Sequence, residues 1–362
     1  MKSNKSTTVF VGLSGGVDSS VSAALLKQQD YNVVGVFIRT WQPDFIECSF
    51  REDRLDAMRV AAYLDIPFLE CDAEAIYKEK VAEYMIEEYK AGRTPNPDVM
   101  CNREIKFGVF WDFAKKHGAD FVATGHYARI EDASVKLKAK SYKLKASPDS
   151  SKDQSYFLYR LTSQDLEHIL FPIGHLHKTD VRKLAEKFGL PNAVKKDSQG
   201  VCMLGDLDLK QFLEHYIPNK HGDVLNENGE VIGHHDGVLF LTLGERHGFT
   251  ITKKTPNDER YYIVSKDIEN NTVTVSNRKD SEVQSVKNEI EIARCNWIQN
   301  TPNLDKKYTA QVRYHGEFLP CSIKKIENDK AVIAFEKPTT VASGQSIVLY
   351  DNEICLGGGI VV

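Results

Sequence analysis

The sequence predicts an α/β protein in three parts: a doubly wound parallel sheet, a small central β-rich domain, and a C-terminal β-barrel or sandwich, of which the barrel is the expectation. Three observations predict it. Over the first half, short apolar runs alternate with stretches of helical period. From about Gly222 the helical period disappears, and short alternating segments bounded by turn residues replace it. The 362 residues amount to two or three domains of ordinary size. The domains are expected at 1–205, 206–275 and 276–362.

In the first part, Val9-Phe10-Val11 reads as a buried strand ending in Gly12, and Val17 to Gln28 as a helix. Val33 to Ile38 is a continuous apolar run, the pattern of a strand covered on both faces. Leu55, Met58 and Ala62 share one helical face. Pro67-Phe68-Leu69 gives a third strand, Ala73 to Ala91 a charged helix, Ile105 to Lys116 another, and Asp120 to Ala123 a fourth strand. Val135 to Lys145 carries Lys136, Lys138, Lys140, Lys143 and Lys145 on one face of an expected hairpin; a solvated charged face explains it as well as phosphate contact does. Helices are expected at Ser163 to Leu170 and Thr179 to Phe188, and a loop at Asp197 to Gly205. Later strands are expected at Gly237 to Leu243, Tyr261 to Val264, Tyr308 to Tyr314, Ala331 to Phe335 and Ser346 to Tyr350.

Composition excludes several classes. Hydrophobic residues at 41% and aromatics at 10% supply real cores, so wholesale disorder is excluded. No apolar run approaches the ~20 residues of a membrane helix, and Met1 to Thr8 lacks the apolar stretch of a signal peptide. A cytoplasmic protein with no membrane partner is the expectation. The net charge of −4 does not advertise nucleic-acid binding, so an RNA partner requires a local basic face. The 7 cysteines show no C-x-x-C spacing, which argues against zinc or iron–sulfur ligation; no resident metal site is expected.

The strongest chemical signal is Ser14-Gly15-Gly16-Val17-Asp18-Ser19-Ser20, between the first strand and its helix. Glycines let the backbone approach a phosphate, the helix start aims N–H groups at it, and three hydroxyls add donors. The two commoner phosphate loops do not fit: Val17 and Ser14 stand where each requires a glycine. A Ser-capped turn is the plainer alternative. Two cysteines stand in expected loops. Pro95 and Pro97 forbid a helix and predict a rigid extended loop, with Cys101 preceding a helix and near Arg103 and Lys106, a setting that favours a thiolate. Cys202 follows Asp197-Ser198-Gln199-Gly200-Val201. Cys71, Cys295, Cys321 and Cys355 read as core fillers, and Cys48 is undecided.

SGGVDSS resembles the PP-loop of ATP pyrophosphatases. Together with AGRTPNPDVMCNREIKF (91–107), ATGHYAR (123–129), KDQSYFL (152–158), KKDSQGVCMLG (195–205), VRYHG (312–316) and GQSIVLYDNEICLGGG (344–359), it makes the chain resemble the tRNA-specific 2-thiouridylases over nearly its whole length. The resemblance implies a PP-loop ATPase domain, ATP with Mg²⁺, a tRNA substrate, and a sulfur donor protein, either a cysteine desulfurase or a sulfur-relay protein. It implies adenylation of the C2 oxygen of the wobble uridine and its replacement by sulfur. By position it makes Cys202 the persulfide carrier, Cys101 the nucleophile that forms a transient disulfide with it, and Asp98 the acid/base residue. Asn96, Pro97 and Asp98 match target-base contacts. Gly12, Leu13, Ser14, Gly15, Gly16, Val17, Asp18, Ser19, Ile38 and Gly125 match ATP contacts. His126, Lys152, Asp153, Gln154, Arg313, Tyr314 and Gln345 match tRNA contacts. One departure is Glu245, in Thr242-Leu243-Gly244-Glu245-Arg246, where the family carries Gln; it brings negative charge to the central module. Two other readings remain: a PP-loop ligase or amidotransferase acting on a small metabolite, and a non-catalytic nucleotide sensor or RNA-binding module.

Overall fold

The computed structural model describes residues 3–45, 50–134, 140–197, 209–253, 260–277 and 287–362. The first body runs β1 (Thr8–Gly12), α1 (Val17–Gln28), β2 (Asn32–Arg39), α2 (Phe50–Tyr63) and β3 (Phe68–Asp72). Two long helical runs follow: α3 (Glu74–Tyr77), a π-helical stretch Lys78–Glu83 and α4 (Tyr84–Lys90); then α5 (Pro97–Met100), a π-helical stretch Cys101–Val109 and α6 (Phe110–Lys116). After them come β4 (Phe121–Ala123), the hairpin β5 (Ala128–Asp132) and β6 (Tyr142–Ala146), α7 (Ser163–Leu166), β7 (Ile169–Leu170) and α8 (Lys178–Lys187).

Five strands form one parallel sheet in the order β3-β2-β1-β4-β7. Its central strand is apolar on both faces because both are covered. Val9 and Val11 pack with Ala23, Leu26, Ala57 and Val60 of α1 and α2. Phe10 faces Ile105 and Phe110 on the other side. The chain steps outward from β1 to β2 and β3, then returns to β4 on the far side of β1. That reversal opens a crevice at the carboxyl ends of β1 and β4, where ligands of such sheets bind.

The second body holds α9 (Leu209–Glu214) and β8 (Gly222–Leu225), β9 (Val231–His235), β10 (Phe249–Ile251), β11 (Tyr262–Asp267) and β12 (Thr272–Ser276), in the order β10-β9-β8-β12-β11 around Val224, Ile263, Val273 and Val275. The third has β13 (Lys287–Trp297), β14 (Lys307–Gln311), β15 (Leu319–Glu327), β16 (Lys330–Thr339), β17 (Ser346–Asp351) and β18 (Ile354–Val361). They run β13-β16-β15-β14-β17-β18, and β18 pairs back to β13, which closes the barrel. The β5–β6 hairpin of the first body joins this sheet through β18, with Cys355 opposite Leu144.

Five expectations are corrected. The helix expected over Ser163 to Leu170 stops at Leu166, closed by a capping box between Thr162 and Asp165. Ile169 and Leu170 instead pair with β4 as an edge strand. The loop through the prolines is helical from Pro97, so Cys101 lies inside a helix and not ahead of it. Pro at the first helical position loses no hydrogen bond, and the Asn96 side chain accepts from the Val99 amide. Leu55, Met58 and Ala62 do share a face of α2, but it faces solvent. The buried face is Ala57, Val60 and Ala61, small enough to let the helix lie close to the sheet. Gly237 to Leu243 holds a short 3₁₀ turn, Val238–Phe240, rather than a strand. Cys295 is only partly buried, whereas Cys71, Cys321 and Cys355 are core residues as expected.

Candidate active site

The phosphate-type loop leaves β1 at Gly12 and turns into α1 at the crevice. Leu13 N donates to Val36 O (2.8 Å), which ties the loop's start to β2. Gly15 has φ +76°, and a Cβ there would lie 2.4 Å from Asp53 O, so only glycine fits. Ser20 Oγ and Ser19 Oγ donate to Gly16 O (2.8 and 3.1 Å), and Asn192 Nδ2 donates to Gly15 O and to Ser20 Oγ (both 2.9 Å). The loop is therefore held from behind. Gly16 at the N-cap offers no side chain, which leaves the start of α1 for an anion. Gly125, following β4, approaches so closely that a Cβ would lie 2.7 Å from Asp18 C and Ser19 N. Ile38, near the end of β2, is buried beside Gly12. These two close approaches are what a cradle for a polyphosphate requires, and the residues fit ATP.

Beside the loop lies a chain of charges. Lys178 Nζ contacts Asp18 Oδ1 and Oδ2 (2.8 and 2.9 Å) and Asp197 Oδ1 (2.9 Å). Asp197 also pairs with Lys152 (2.9 Å) and with Arg182; burial opposes its charge, but Lys178 and then Lys152 outweigh that cost and hold its carboxyl far below the usual carboxylate range. The Tyr127 hydroxyl donates to Asp18 Oδ1 (2.8 Å); burial and then Asp18 push its pKa far up.

The helix that carries Cys101 crosses the same crevice. Phe110 lies 3.5 Å from the Cβ position of Gly12, and the Phe107 ring packs on His126 at 5.7 Å. Cys101 is fully buried, in the same core cluster as Val99, Ile105, Tyr156 and Leu158. His126 is also enclosed; its Nδ1 meets Thr124 Oγ1 at 2.7 Å. Cys202 falls in 198–208, outside the described residues, as does Cys48.

The barrel reaches this helix. Tyr314 stacks on His315 (3.9 Å) and packs at a tilt against Phe157 (4.2 Å). Burial first, and then the charges of Asp153 and Asp98, push its pKa up to about 12. Asp153 itself is buried and accepts from Ser147 N and Ser155 Oγ (both 2.8 Å). Gln154 Oε1 accepts from Tyr127 N (3.0 Å). Gln345 Nε2 donates to Thr94 O (3.0 Å), and Thr94 N donates to Ser343 O (2.8 Å), so the barrel holds the stretch that leads into Asn96, Pro97 and Asp98. Arg313 is exposed nearby. Lys143 and Lys145 pair with Glu131, and Lys140 pairs with Glu167, so the described part of the lysine face is an ion-pair network; residues 135–139 lie outside the described residues. Glu245 is a turn residue: its carboxylate accepts from Thr242 N (2.9 Å), and burial raises its pKa. Lys178, Tyr127, Asn192 and Thr94 were not singled out in the sequence, because each acts through partners more than 100 positions away.

The three bodies match family models described as tRNA methyl transferase HUP domain (residues 7–206), tRNA methyl transferase PRC-barrel domain (210–277) and Aminomethyltransferase beta-barrel domain (287–361). The tRNA-specific 2-thiouridylase of Nitrosomonas eutropha is 44% identical over 99% of this chain and 99% of its own. The chain belongs to the tRNA-specific 2-thiouridylase family. The 2-thiouridylase of Geobacillus thermodenitrificans is 42% identical over 99% of this chain and 96% of its own, and that of Thiobacillus denitrificans is 43% identical over 98% and 99%. Family membership makes the chain an enzyme of the sulfurtransferase class with a PP-loop for ATP. Among the described residues no helix is long and apolar enough to cross a membrane.

Proposed function

We propose that this 2-thiouridylase thiolates the wobble uridine of tRNA at C2, using ATP and a cysteine persulfide. One observation carries the reading: the anion-cradling loop and the helix of Cys101 meet at one crevice, with Phe110 against Gly12 and Phe107 against His126.

In this reaction the uridine C2 oxygen takes AMP from ATP and pyrophosphate leaves. A terminal sulfur on Cys202 attacks C2, and AMP departs with the oxygen. The Cys101 thiolate then attacks the Cys202 sulfur; the sulfur–sulfur bond breaks, 2-thiouridine is released, and a Cys101–Cys202 disulfide remains for a thiol reductant. Asp98 handles the proton at the base, which Asn96 and Pro97 help to seat. Because Cys101 is enclosed, its step requires the 96–101 stretch to open toward the base. Mg²⁺, held by Asp18, would neutralise the pyrophosphate charge. The uridine must leave its anticodon stack, at a cost of a few kcal/mol. Tyr314, Arg313, Gln345, His126, Lys152, Asp153 and Gln154 form the tRNA side of the site. In this reading residues 1–205 adenylate, 276–362 grip the RNA stem, and 206–275 join the two. A cysteine desulfurase or relay protein loads Cys202 in the cytoplasm, where thiols stay reduced.

The test uses unmodified tRNA, ATP, Mg²⁺ and a sulfide source, followed by a mercury-containing gel that retards thiolated RNA. A retarded band that Cys202→Ser abolishes is the expected result. Thiolation that survives this substitution rejects the persulfide route, and ATP binding without AMP release points to a nucleotide sensor.

A further inference from the structure

We propose that Lys266 of the central body is a positioning residue for the reaction: it pins the 92–95 segment, the fixed end from which the stretch carrying Asp98 and Cys101 starts. The inference rests on the thiolation reading above and gives the central body a part in it. Lys266 lies on β11, and its ammonium donates to Gly92 O (3.2 Å) and to Leu241 O. One acceptor belongs to the first body and the other to the central body. The side chain is half-buried. Burial pushes its pKa down to about 8, the Glu245 carboxylate opposes that fall, and the ammonium keeps its charge at neutral pH. Withdrawing a charge from water is unfavourable unless its donors are satisfied, and bonds from a charged donor are about twice as strong as neutral ones. Here they go to the backbone just ahead of the site, which makes them a strong tie between the two bodies.

The tie falls where the chain has little slack. Gly92 has φ +73°, and a Cβ there would lie 1.9 Å from Ile268 Cδ1, so the central body sits directly on it. Gly92 N donates to Tyr89 O (2.9 Å), and Arg93 holds Glu88 through two hydrogen bonds (2.6 and 2.8 Å). The Thr94 hydroxyl meets the Thr242 hydroxyl (3.2 Å), while the barrel takes Thr94 N and O through Ser343 and Gln345. Three bodies thus meet on three residues. Two positions later Asn96 caps the helix on which Asp98 and Cys101 stand. Cys101 has to leave its core for its step, so the 96–101 stretch must pivot while the backbone before it stays put. Arg93 ties the segment to its own helix, and the barrel ties it through neutral groups; Lys266 is the charged group that reaches it from another body.

The experiment labels the native full-length chain with iodoacetamide and reads each cysteine by peptide mass, for wild type and Lys266→Met. The same proteins are assayed for kcat and tRNA KM in thiolation and for ATP affinity by calorimetry. Lys266→Met should raise the labelling rate of Cys101 about 10- to 100-fold, the range of one hydrogen bond from a charged group acting on a local opening. Cys71, Cys321 and Cys355, core thiols of the first body and the barrel, should stay protected. The kcat should fall about 10- to 100-fold, the effect of a small misplacement of reacting groups, with tRNA KM and ATP affinity unchanged. Unchanged Cys101 labelling overturns the proposal, and so does an unchanged kcat. Release of all four thiols together also overturns it, because that marks loss of the fold and not of a pin. A loss confined to tRNA KM overturns it as well, since Lys266 would then be an RNA contact. Lys266→Gln, read the same way, replaces the Met variant if the latter does not fold. Wild type that binds tRNA and ATP yet never thiolates defeats the reaction alone, and the labelling then decides the pin by itself.

Discussion

His126 is held as a neutral ring: burial first, and then the nearby Lys106, push its pKa well below the ordinary histidine value of 6.5. The unfolded chain binds a proton near pH 6.5 and the folded one does not. Stability from this site is therefore fully present above that pH and is lost as pH falls toward the folded-state pKa. One such group contributes a slope of up to about 1.4 kcal/mol per pH unit. Urea-unfolding free energies measured from pH 5 to 7 should fall less steeply for His126→Gln than for wild type; parallel curves would contradict the assignment. The same residue marks the limit of sequence reading at this scale. The order of Ser14 to Ser20 declares an anion loop, because glycine and hydroxyl chemistry is local. Nothing local announces that Asn192 holds that loop from behind, or that Tyr127 and Lys178 converge on Asp18. Those contacts exist only once α8 has packed on α1.

At the scale of elements, helices read well where apolar period and capping agree, and poorly where a cap overrides a breaker. Pro95 and Pro97 argue for an extended loop; Asn96 between them turns the second proline into a helix start, because its side chain accepts from Val99 N at 3.2 Å. The consequence is chemical, since it places Cys101 inside a helix. Removing the cap with Asn96→Ala should cost about 1 kcal/mol of stability, whereas Asn96→Asp retains an acceptor and should cost much less. Urea midpoints at constant slope decide it. Equal losses in the two variants would show that Asn96 acts through its contact with the Tyr156 hydroxyl instead. Helix α2 shows the converse failure: Leu55 and Met58 look like a core face, but the small residues Ala57 and Ala61 are the ones that fit against the sheet.

At the scale of the whole molecule, the division into three parts is legible from the change of period, but the way the parts are joined is not. Ile298, Val348, Tyr350 and Cys355 belong by sequence to the barrel and pack in one core with Phe10, Cys101 and Phe110 of the first body. The Ser155 hydroxyl meets the Tyr350 hydroxyl at 3.1 Å, and Tyr156 donates to Ser346 O at 2.9 Å. A shared core makes the two bodies unfold together, because neither can lose its packing without exposing the other's apolar surface. Tyr350→Ala should cost about 3–5 kcal/mol, the usual penalty for emptying a buried aromatic site. The loss should register equally in both bodies. Of the 3 tryptophans, Trp111 reports on the first body and Trp297 on the barrel, so variants retaining one or the other separate the two signals. Coincident denaturant midpoints, shifted together by Tyr350→Ala, are expected. A shift of the Trp297 signal with an unmoved Trp111 signal would show that the barrel folds as a separate unit, and the link from the Gln345–Thr94 contact to the Cys101 helix could not then carry force between them.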